Sequence, residues 1–169
     1  MIFQGIIFDL DGVICSTDEY HYQAWKELAD REGIPFDRSV NNRLRGVSRM
    51  ESLEILLERA KRFYSQEEKE KMAAAKNTRY QELLREMTPA DLSPEVFETL
   101  ETLRKQGLKL AIGSSSKNTP LILDRLGLGG YFDAVSDGNN ITRSKPAPEV
   151  FLKACLLYTS PSPRDRSLS

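Results

Sequence analysis

The sequence predicts an α/β fold, in which a parallel sheet is interrupted after its first strand by an inserted helical domain. An apolar run near the start, Gly5-Ile6-Ile7-Phe8, has the length and composition of a strand buried on both faces. About 70 residues with helical periodicity follow this run. Strand and helix patterns then alternate through the second half of the chain. Such alternation builds parallel sheets through right-handed crossovers.

The residues directly after the first strand carry the first chemical signal. Asp9 and Asp11 stand two positions apart, so on an extended chain both side chains point to the same side. Open α/β sheets bind their ligands at this carboxyl end of the strands. Two neighbouring carboxylates repel each other unless a cation lies between them, and their oxygens suit Mg²⁺. The alternative is that Asp-Leu-Asp-Gly is only a polar turn that leaves a strand.

The inserted segment reads as one helix after another. A first helix carries apolar residues at helical spacing from Tyr20 and ends at Gly33. A second, shorter helix is expected around Leu44. Two capping boxes then mark further helix starts, and they are Ser48 with Glu51 and Ser65 with Glu68.

The second half of the chain supplies the rest of the predicted sheet. Ser93 with Pro94 caps a helix that ends at Gly107. The other predicted elements are strands at residues 108–112 and 134–136 and helices at residues 119–126 and 149–156. Residues 158–169 are rich in Ser, Pro and Arg, so we expect a disordered, non-native tail there, with the native chain interrupted near Cys155.

Composition narrows the class of protein. The chain has 169 residues, of which 40% are hydrophobic and 29% charged, and a formal net charge of -1. A net charge this close to zero does not indicate binding to nucleic acid or to an anionic membrane. The apolar runs are too short to cross a bilayer, the first residues lack the basic region of a signal peptide, and two cysteines make no disulfide framework. We therefore expect a cytoplasmic protein without nucleic-acid or membrane partners.

Three motifs in order resemble those of the haloacid dehalogenase superfamily of phosphotransferases. The matching runs are Phe8-Asp9-Leu10-Asp11-Gly12-Val13, Ile112-Gly113-Ser114-Ser115-Ser116 and Lys145-Pro146-Ala147-Pro148. A helical insertion directly after the first motif resembles the helical cap of that superfamily. The resemblance implies a parallel Rossmann-like core at residues 1–14 and 89–157, incomplete at the C-terminus, and a helical cap at residues 15–88.

Within the superfamily, residues 1–154 are most similar to the β-phosphoglucomutase family. The additional matching runs are Asp18-Glu19-Tyr20-His21, Ala24-Trp25, Gly46-Val47-Ser48-Arg49, Lys76-Asn77 and Ser116-Lys117-Asn118. This resemblance implies an isomerase that interconverts β-D-glucose 1-phosphate and glucose 6-phosphate through an aspartyl phosphate and the 1,6-bisphosphate. Two alternatives stay open, namely a phosphatase of the same superfamily that acts on a small phosphorylated metabolite, and an inactive fragment. The partners expected are small sugar phosphates, and the protein is expected to be a monomer.

The resemblance also assigns chemical roles. Asp9 would be the nucleophile and Asp11 the general acid–base. Mg²⁺ would bind the Asp9 carboxylate and the Asp11 backbone carbonyl. The phosphate-binding residues would be Leu10, Gly12, Ser114, Ser115 and Lys145, which stabilise the charge of the transferring group. The substrate-binding residues would be His21, Trp25, Gly46, Val47, Ser48, Arg49, Lys76, Ser116, Lys117 and Asn118.

Several of these residues also have ordinary structural explanations. Arg49 would clamp the non-transferring phosphate, since a guanidinium fork matches phosphate geometry. Without the resemblance, Arg49 and Lys76 would be read as solvated surface residues. Trp25 would be read as a core residue, and His21 as a surface or hinge residue.

The sequence departs from the family in three places. The family has a fourth motif, an acidic pair after a further strand, whereas the only acidic residue after position 157 is Asp165. We therefore expect an incomplete Mg²⁺ shell and low activity of this chain. Arg45 stands where close relatives tend to carry Lys, and the turn Asp137-Gly138-Asn139-Asn140 also differs. Neither of these two departures is expected to touch the chemistry.

Overall fold

The computed structural model describes residues 3–159. The chain forms two compact units. One unit, called here the helical unit, is Thr17–Glu86, and the other, called here the core unit, comprises the described parts of Met1–Ser16 and Met87–Ser169. Within the described residues, no helix is both long enough and apolar enough to span a membrane.

The helical unit contains four helices, as its periodicity predicts. Their bounds are α1 Asp18–Arg31, α2 Arg38–Arg43, α3 Arg49–Leu57 and α4 Gln66–Leu84. Both predicted capping boxes are present: Ser48 caps α3 with Glu51, and Ser65 caps α4 with Glu68. Apolar side chains from all four helices, among them Trp25, form one buried cluster. Burial of that cluster stabilises a unit whose helix surfaces are otherwise highly charged.

The core unit is built on a three-stranded parallel sheet. The strands are β1 Gly5–Phe8, β2 Lys109–Gly113 and β3 Ala134–Ser136, in the spatial order β1-β2-β3. The parallel sheet was predicted, and so were the bounds of β1 and β3. The prediction that β1 is buried on both faces is wrong, because all four of its residues are only half-buried. Among the described strands β1 lies at an edge, whereas the central β2 buries four of its five residues.

Three helices flank this sheet, and their bounds are α5 Pro94–Lys105, α6 Thr119–Arg125 and α7 Glu149–Thr159. Helix α7 packs on the sheet, where Ala154 joins Ala111 and Ala134 in a buried cluster. This helix runs through Thr159, so it takes in the first two residues of the predicted tail. Residues 160–169 of that tail lie outside the described part of the chain.

A tight turn follows β3 at residues 137–140 and packs directly against the loop after β2. A Cβ atom added at Gly138 would lie 2.4 Å from the carbonyl oxygen of Ser115 and 2.8 Å from the backbone nitrogen of Lys117. Both of these atoms belong to the backbone, so they cannot move aside by a rotamer change. The contact therefore requires glycine at this position.

We expect Gly138→Ala to lower the free energy of unfolding by about 1–3 kcal/mol, the usual cost of overpacking. Gly129→Ala is the matched control, because a Cβ atom there meets nothing closer than Asp124 Oδ1 at 3.5 Å. Both changes restrict the unfolded chain to the same extent. Urea unfolding followed by far-ultraviolet circular dichroism measures the difference. Equal unfolding midpoints for the two variants would show that the close approach at Gly138 carries no energetic weight.

Candidate active site

The segment after β1 places the two aspartates. Asp9 is half-buried and Asp11 exposed, while Leu10 between them is fully buried, which agrees with the alternation expected of an extended chain. Asp9 Oδ1 accepts a 2.7 Å hydrogen bond from the backbone N–H of Leu10. Gly12 has a φ of +78°, a left-handed conformation that glycine adopts without strain, and the chain turns there. The two carboxylates therefore lie at the carboxyl end of β1.

Lys145 reaches Asp9 from the other end of the core unit. Its Nζ lies 2.7 Å from Asp9 Oδ2, and the two side chains are 29% and 39% exposed. The backbone N–H of Lys145 donates to Ser115 Oγ at 3.2 Å. The preceding loop is held by Glu149, whose carboxylate accepts from the backbone N–H groups of Thr142 and Arg143 at 2.7 Å each. Carboxylate and ammonium groups far apart in sequence thus form one ion pair.

Residues 114–118, called here the Ser loop, connect β2 to α6 without regular secondary structure. Ser114 is buried, and its backbone N–H donates to the carbonyl of Ser136 at the end of β3. Ser114 Oγ accepts from the N–H of Ser116, and Ser116 Oγ accepts from the N–H of Asn118, each at 3.2 Å. Each hydroxyl oxygen is therefore bound within the loop, while its hydrogen can still be donated to another group.

Ser115 has a role that sequence reasoning missed. Its hydroxyl accepts the backbone N–H of Lys145 and so connects the Ser loop with the loop that carries Lys145. Its phosphate binding stays a prediction. Nothing in the local sequence signals a bond between residues so far apart. The other two predicted residues of this loop differ in exposure, since Lys117 is exposed and Asn118 is buried.

Cys15 does not carry a reactive thiolate in the core unit. Burial, followed by the negative charges of Asp11 and Asp91, raises the pKa of its thiol to about 12. The thiol is therefore protonated at neutral pH and unreactive. Asp91 was not predicted as part of this environment, because no local pattern in the sequence places it near Cys15.

The carboxylate of Asp9 and the backbone carbonyl of Asp11 offer oxygens of the kind that Mg²⁺ binds. Mg²⁺ takes oxygen ligands, keeps several of its waters and is commonly held by one or two carboxylates together with a substrate phosphate. The ammonium group of Lys145 on Asp9 Oδ2 shows that this carboxylate already attracts a cation. Within residues 3–159, no group of three or more His, Cys, Asp or Glu side chains gathers into a metal-binding arrangement. The described residues thus supply only part of a Mg²⁺ ligand set, and Mg²⁺ binding stays a prediction.

A second group of predicted residues meets inside the helical unit. Lys76 is 3% exposed, and its Nζ lies 2.9 Å from His21 Nδ1. The same Nζ lies 4.9 Å from the ring centroid of Trp25 and 4.6 Å from that of Tyr80. His21 stacks on Tyr80 with the ring centroids 4.0 Å apart. Together with Arg49, these residues are called here the cationic cluster.

The charges of the cationic cluster are not balanced by a buried acid. Burial, and then the charge of Arg49, lowers the pKa of Lys76 to about 7. Burial and the charge of Lys76 lower the pKa of His21 to about 3, so His21 is neutral at neutral pH and its Nδ1 can accept from Lys76. Burial also lowers the pKa of Arg49. Among the described residues, no carboxylate forms an ion pair with Lys76.

The remaining predicted substrate residues lie before α3 or in the apolar cluster. Trp25 belongs to the buried apolar cluster, which is its ordinary structural explanation, although its ring also faces Lys76. Gly46 has a φ of +72°, and Val47 after it is half-buried. Ser48 Oγ accepts from the N–H of Glu51 in the capping box. Arg45 pairs with Asp18 at 2.7 Å, outside the cationic cluster.

Comparisons with known proteins agree with the motifs. The model of the haloacid dehalogenase-like hydrolase family matches residues 3–162. The β-phosphoglucomutase of Bacillus subtilis is 43% identical over 162 residues, which cover 94% of this chain and 72% of that protein. The phosphorylated carbohydrates phosphatase of Thermotoga maritima is 32% identical over 152 residues, which cover 88% of this chain and 68% of that protein.

Solved structures give the same result. The crystal structure of β-phosphoglucomutase from Clostridium difficile superposes with a TM-score of 0.83 at 38% identity, over 97% of this chain and 74% of that one. Sequence motifs, sheet topology and structural likeness thus converge. The chain belongs to the haloacid dehalogenase-like hydrolases and is similar to the β-phosphoglucomutases among them.

Proposed function

We propose that the protein is a β-phosphoglucomutase, which interconverts β-D-glucose 1-phosphate and glucose 6-phosphate through an aspartyl phosphate and glucose 1,6-bisphosphate. The observation that carries the proposal is the buried Lys76 ammonium beside Arg49, without a carboxylate partner among the described residues. Such a group stabilises a bound anion. A mutase needs this second anion site because its bisphosphate intermediate carries one phosphate that is not being transferred.

In the core unit, phosphoryl transfer begins at Asp9. One carboxylate oxygen of Asp9 attacks phosphorus, and an O–P bond forms as the bond from phosphorus to the sugar oxygen breaks. Asp11 gives a proton to the leaving oxygen and takes one from the attacking hydroxyl in the reverse direction. When bound at Asp9 and Asp11, Mg²⁺ would supply positive charge that offsets the charge of the nucleophile and the phosphoryl group.

Lys145 and Ser114 stabilise the group in transit. Lys145 Nζ already contacts Asp9 Oδ2 at 2.7 Å, so it is placed to bind phosphoryl oxygens that arrive at the same carboxylate. Ser114 keeps its hydroxyl hydrogen for donation, because its oxygen accepts from Ser116 N–H. Charged and hydrogen-bonding groups fixed before the reaction lower the barrier without reorganisation.

The main alternative is a phosphatase that acts on a small phosphorylated metabolite, since the Thermotoga maritima relative is a phosphatase. Incubating the 169-residue chain with β-D-glucose 1-phosphate, Mg²⁺ and a trace of glucose 1,6-bisphosphate distinguishes the two by phosphorus NMR. Glucose 6-phosphate is the expected product. Inorganic phosphate without the isomer would assign the phosphatase activity, and an unchanged spectrum would assign an inactive chain.

We expect Asp9→Asn to abolish formation of the aspartyl phosphate. An amide is not an anionic nucleophile, and it is also a poorer ligand for Mg²⁺. The measurement is acid-labile phosphate on the protein after incubation with acetyl phosphate. Asp124→Asn, an exposed acid on α6, is the control and should label like the parent. Equal labelling of Asp9→Asn and the parent would remove Asp9 from this role.

Arg49→Ala should lower sugar-phosphate turnover roughly ten- to a hundredfold, the loss expected for a charge-assisted contact of about 1.5–3 kcal/mol. Labelling by acetyl phosphate should stay unchanged, because this donor has no second phosphate to bind. The matched control is Arg43→Ala, since Arg43 lies in the same unit but pairs with Glu58. If Arg49→Ala lowers both activities equally, the role assigned to Arg49 is wrong.

Affinity for glucose 6-phosphate should fall as the pH rises from 7 to 9. In the free protein Lys76 loses its proton around pH 7, whereas a bound phosphate dianion raises the pKa of Lys76 in the complex. Binding then requires proton uptake, so affinity falls by at most about tenfold per pH unit. Calorimetric titration measures this slope. Lys76→Gln should bind more weakly and without the slope, and a flat profile for the parent would contradict the assignment.

A further inference from the structure

We propose that Asn139 is a positioning residue for the Ser loop, and that through this loop it sets the hydroxyl of Ser116 towards the sugar phosphate. The inference rests on the proposed function and extends it to a residue in the turn after β3. From the sequence alone, this turn was expected not to touch the chemistry. Its hydrogen bonds connect it to the Ser loop.

Two donors of the turn bind two consecutive carbonyl groups of the Ser loop. The backbone N–H of Gly138 donates to the carbonyl of Ser116 at 3.1 Å. The side-chain amide of Asn139 donates from Nδ2 to the carbonyl of Lys117 at 3.0 Å. The loop has no helix or strand of its own between Gly113 and Thr119, so these two bonds orient peptide groups that no regular structure holds.

Asp137 fixes the amide of Asn139 in place. Asp137 is 7% exposed, and its Oδ1 accepts from the backbone N–H of Asn139 at 2.8 Å and from Asn139 Nδ2 at 3.0 Å. An asparagine amide has two hydrogens, and here one serves Asp137 and the other the carbonyl of Lys117. Asp137 therefore orders the Asn139 side chain, so the bond to the Ser loop costs little additional side-chain conformational entropy.

The orientation of the Lys117 carbonyl determines a bond to Ser116. The carbonyl of Lys117 and the N–H of Asn118 belong to one planar peptide group, so fixing one fixes the other. This N–H donates to Ser116 Oγ at 3.2 Å. Ser116 is left with its hydroxyl hydrogen to donate, and the direction of that hydrogen depends on where the accepted bond lies. Asn139 thus acts on Ser116 through one peptide plane.

Asn140 offers a matched control in the same turn. Its Oδ1 accepts from Ser136 Oγ at 3.1 Å and from the N–H of Asp137 at 3.0 Å, so it connects the turn to the end of β3. Within residues 3–159, the side chain of Asn140 bonds to Ser136, Asp137 and Val135 and to no residue of the Ser loop. Asn140→Ala therefore weakens the turn without removing a bond to the loop, whereas Asn139→Ala removes one side-chain bond within the turn and the bond to the carbonyl of Lys117.

The experiment compares the 169-residue parent with Asn139→Ala and Asn140→Ala in three measurements. These are KM and kcat for β-D-glucose 1-phosphate, labelling of Asp9 by acetyl phosphate, and the backbone amide signal of Asn118 in a proton–nitrogen NMR spectrum. Asn139→Ala should raise KM roughly three- to tenfold, the effect of one hydrogen bond, with kcat and labelling within about twofold of the parent. Its Asn118 signal should shift. Asn140→Ala should leave KM and the Asn118 signal close to the parent.

Two results would overturn the inference. One is a rise in KM that is equal in both variants, because it would show that only the stability of the turn matters. The other is an unmoved Asn118 signal in Asn139→Ala. If the parent labels Asp9 but does not isomerise the sugar phosphate, the proposed function fails instead, and the Asn118 signal still decides whether Asn139 positions the loop.

Discussion

The parallel pairing of β1 with β2 places Asp9 and the Ser loop at the same edge of the sheet in the core unit. Phe8 of β1 pairs with Ile112 of β2, and Gly113 of β2 pairs with Ser136 of β3. Parallel strands end at one edge, so the residues just beyond them, Asp9, Ser114 and Asp137, leave the sheet at the same side. The crossover from β1 to β2 must also leave and return to the sheet, and this connection contains the whole helical unit.

Charge is arranged in opposite ways in the two units. In the core unit an anion has its cation, since Asp9 pairs with Lys145 at 2.7 Å. In the helical unit the buried ammonium of Lys76 contacts neutral groups, which are His21 and two aromatic rings. Burying an ammonium without an acid costs free energy, which the protein reduces by lowering the pKa of Lys76 to about 7. A phosphate dianion beside the ammonium would offset that cost, and this supports the proposed binding of a sugar phosphate by the helical unit.

The sequence allowed prediction of those features of the fold that depend on residues close together in the chain. Short apolar runs located β1 and β3, and capping boxes located the starts of α3 and α4. A capping box joins residues only three positions apart, so it can be recognised in the sequence. The burial of β1 was mispredicted, since an apolar run does not reveal whether its strand lies at an edge. The hydrogen bonds from Lys145 N–H to Ser115 and from the side-chain amide of Asn139 to Lys117 were missed for a related reason. Both depend on strand register and turn geometry, which no local pattern encodes.

This limit explains why a turn set aside as incidental bears on the site. A single hydrogen bond contributes only about 1 kcal/mol to stability, so its loss would pass unnoticed in most loops. Its effect changes when the bonded carbonyl belongs to a loop that must present hydroxyls in fixed directions, because small misplacements at reacting groups are costly. The buried carboxylate of Asp137 orders Asn139 on folding, so the entropy of fixing that amide is lost before any substrate arrives. The turn and the Ser loop thus form one pre-organised structure, although α6 and β3 separate them in the sequence.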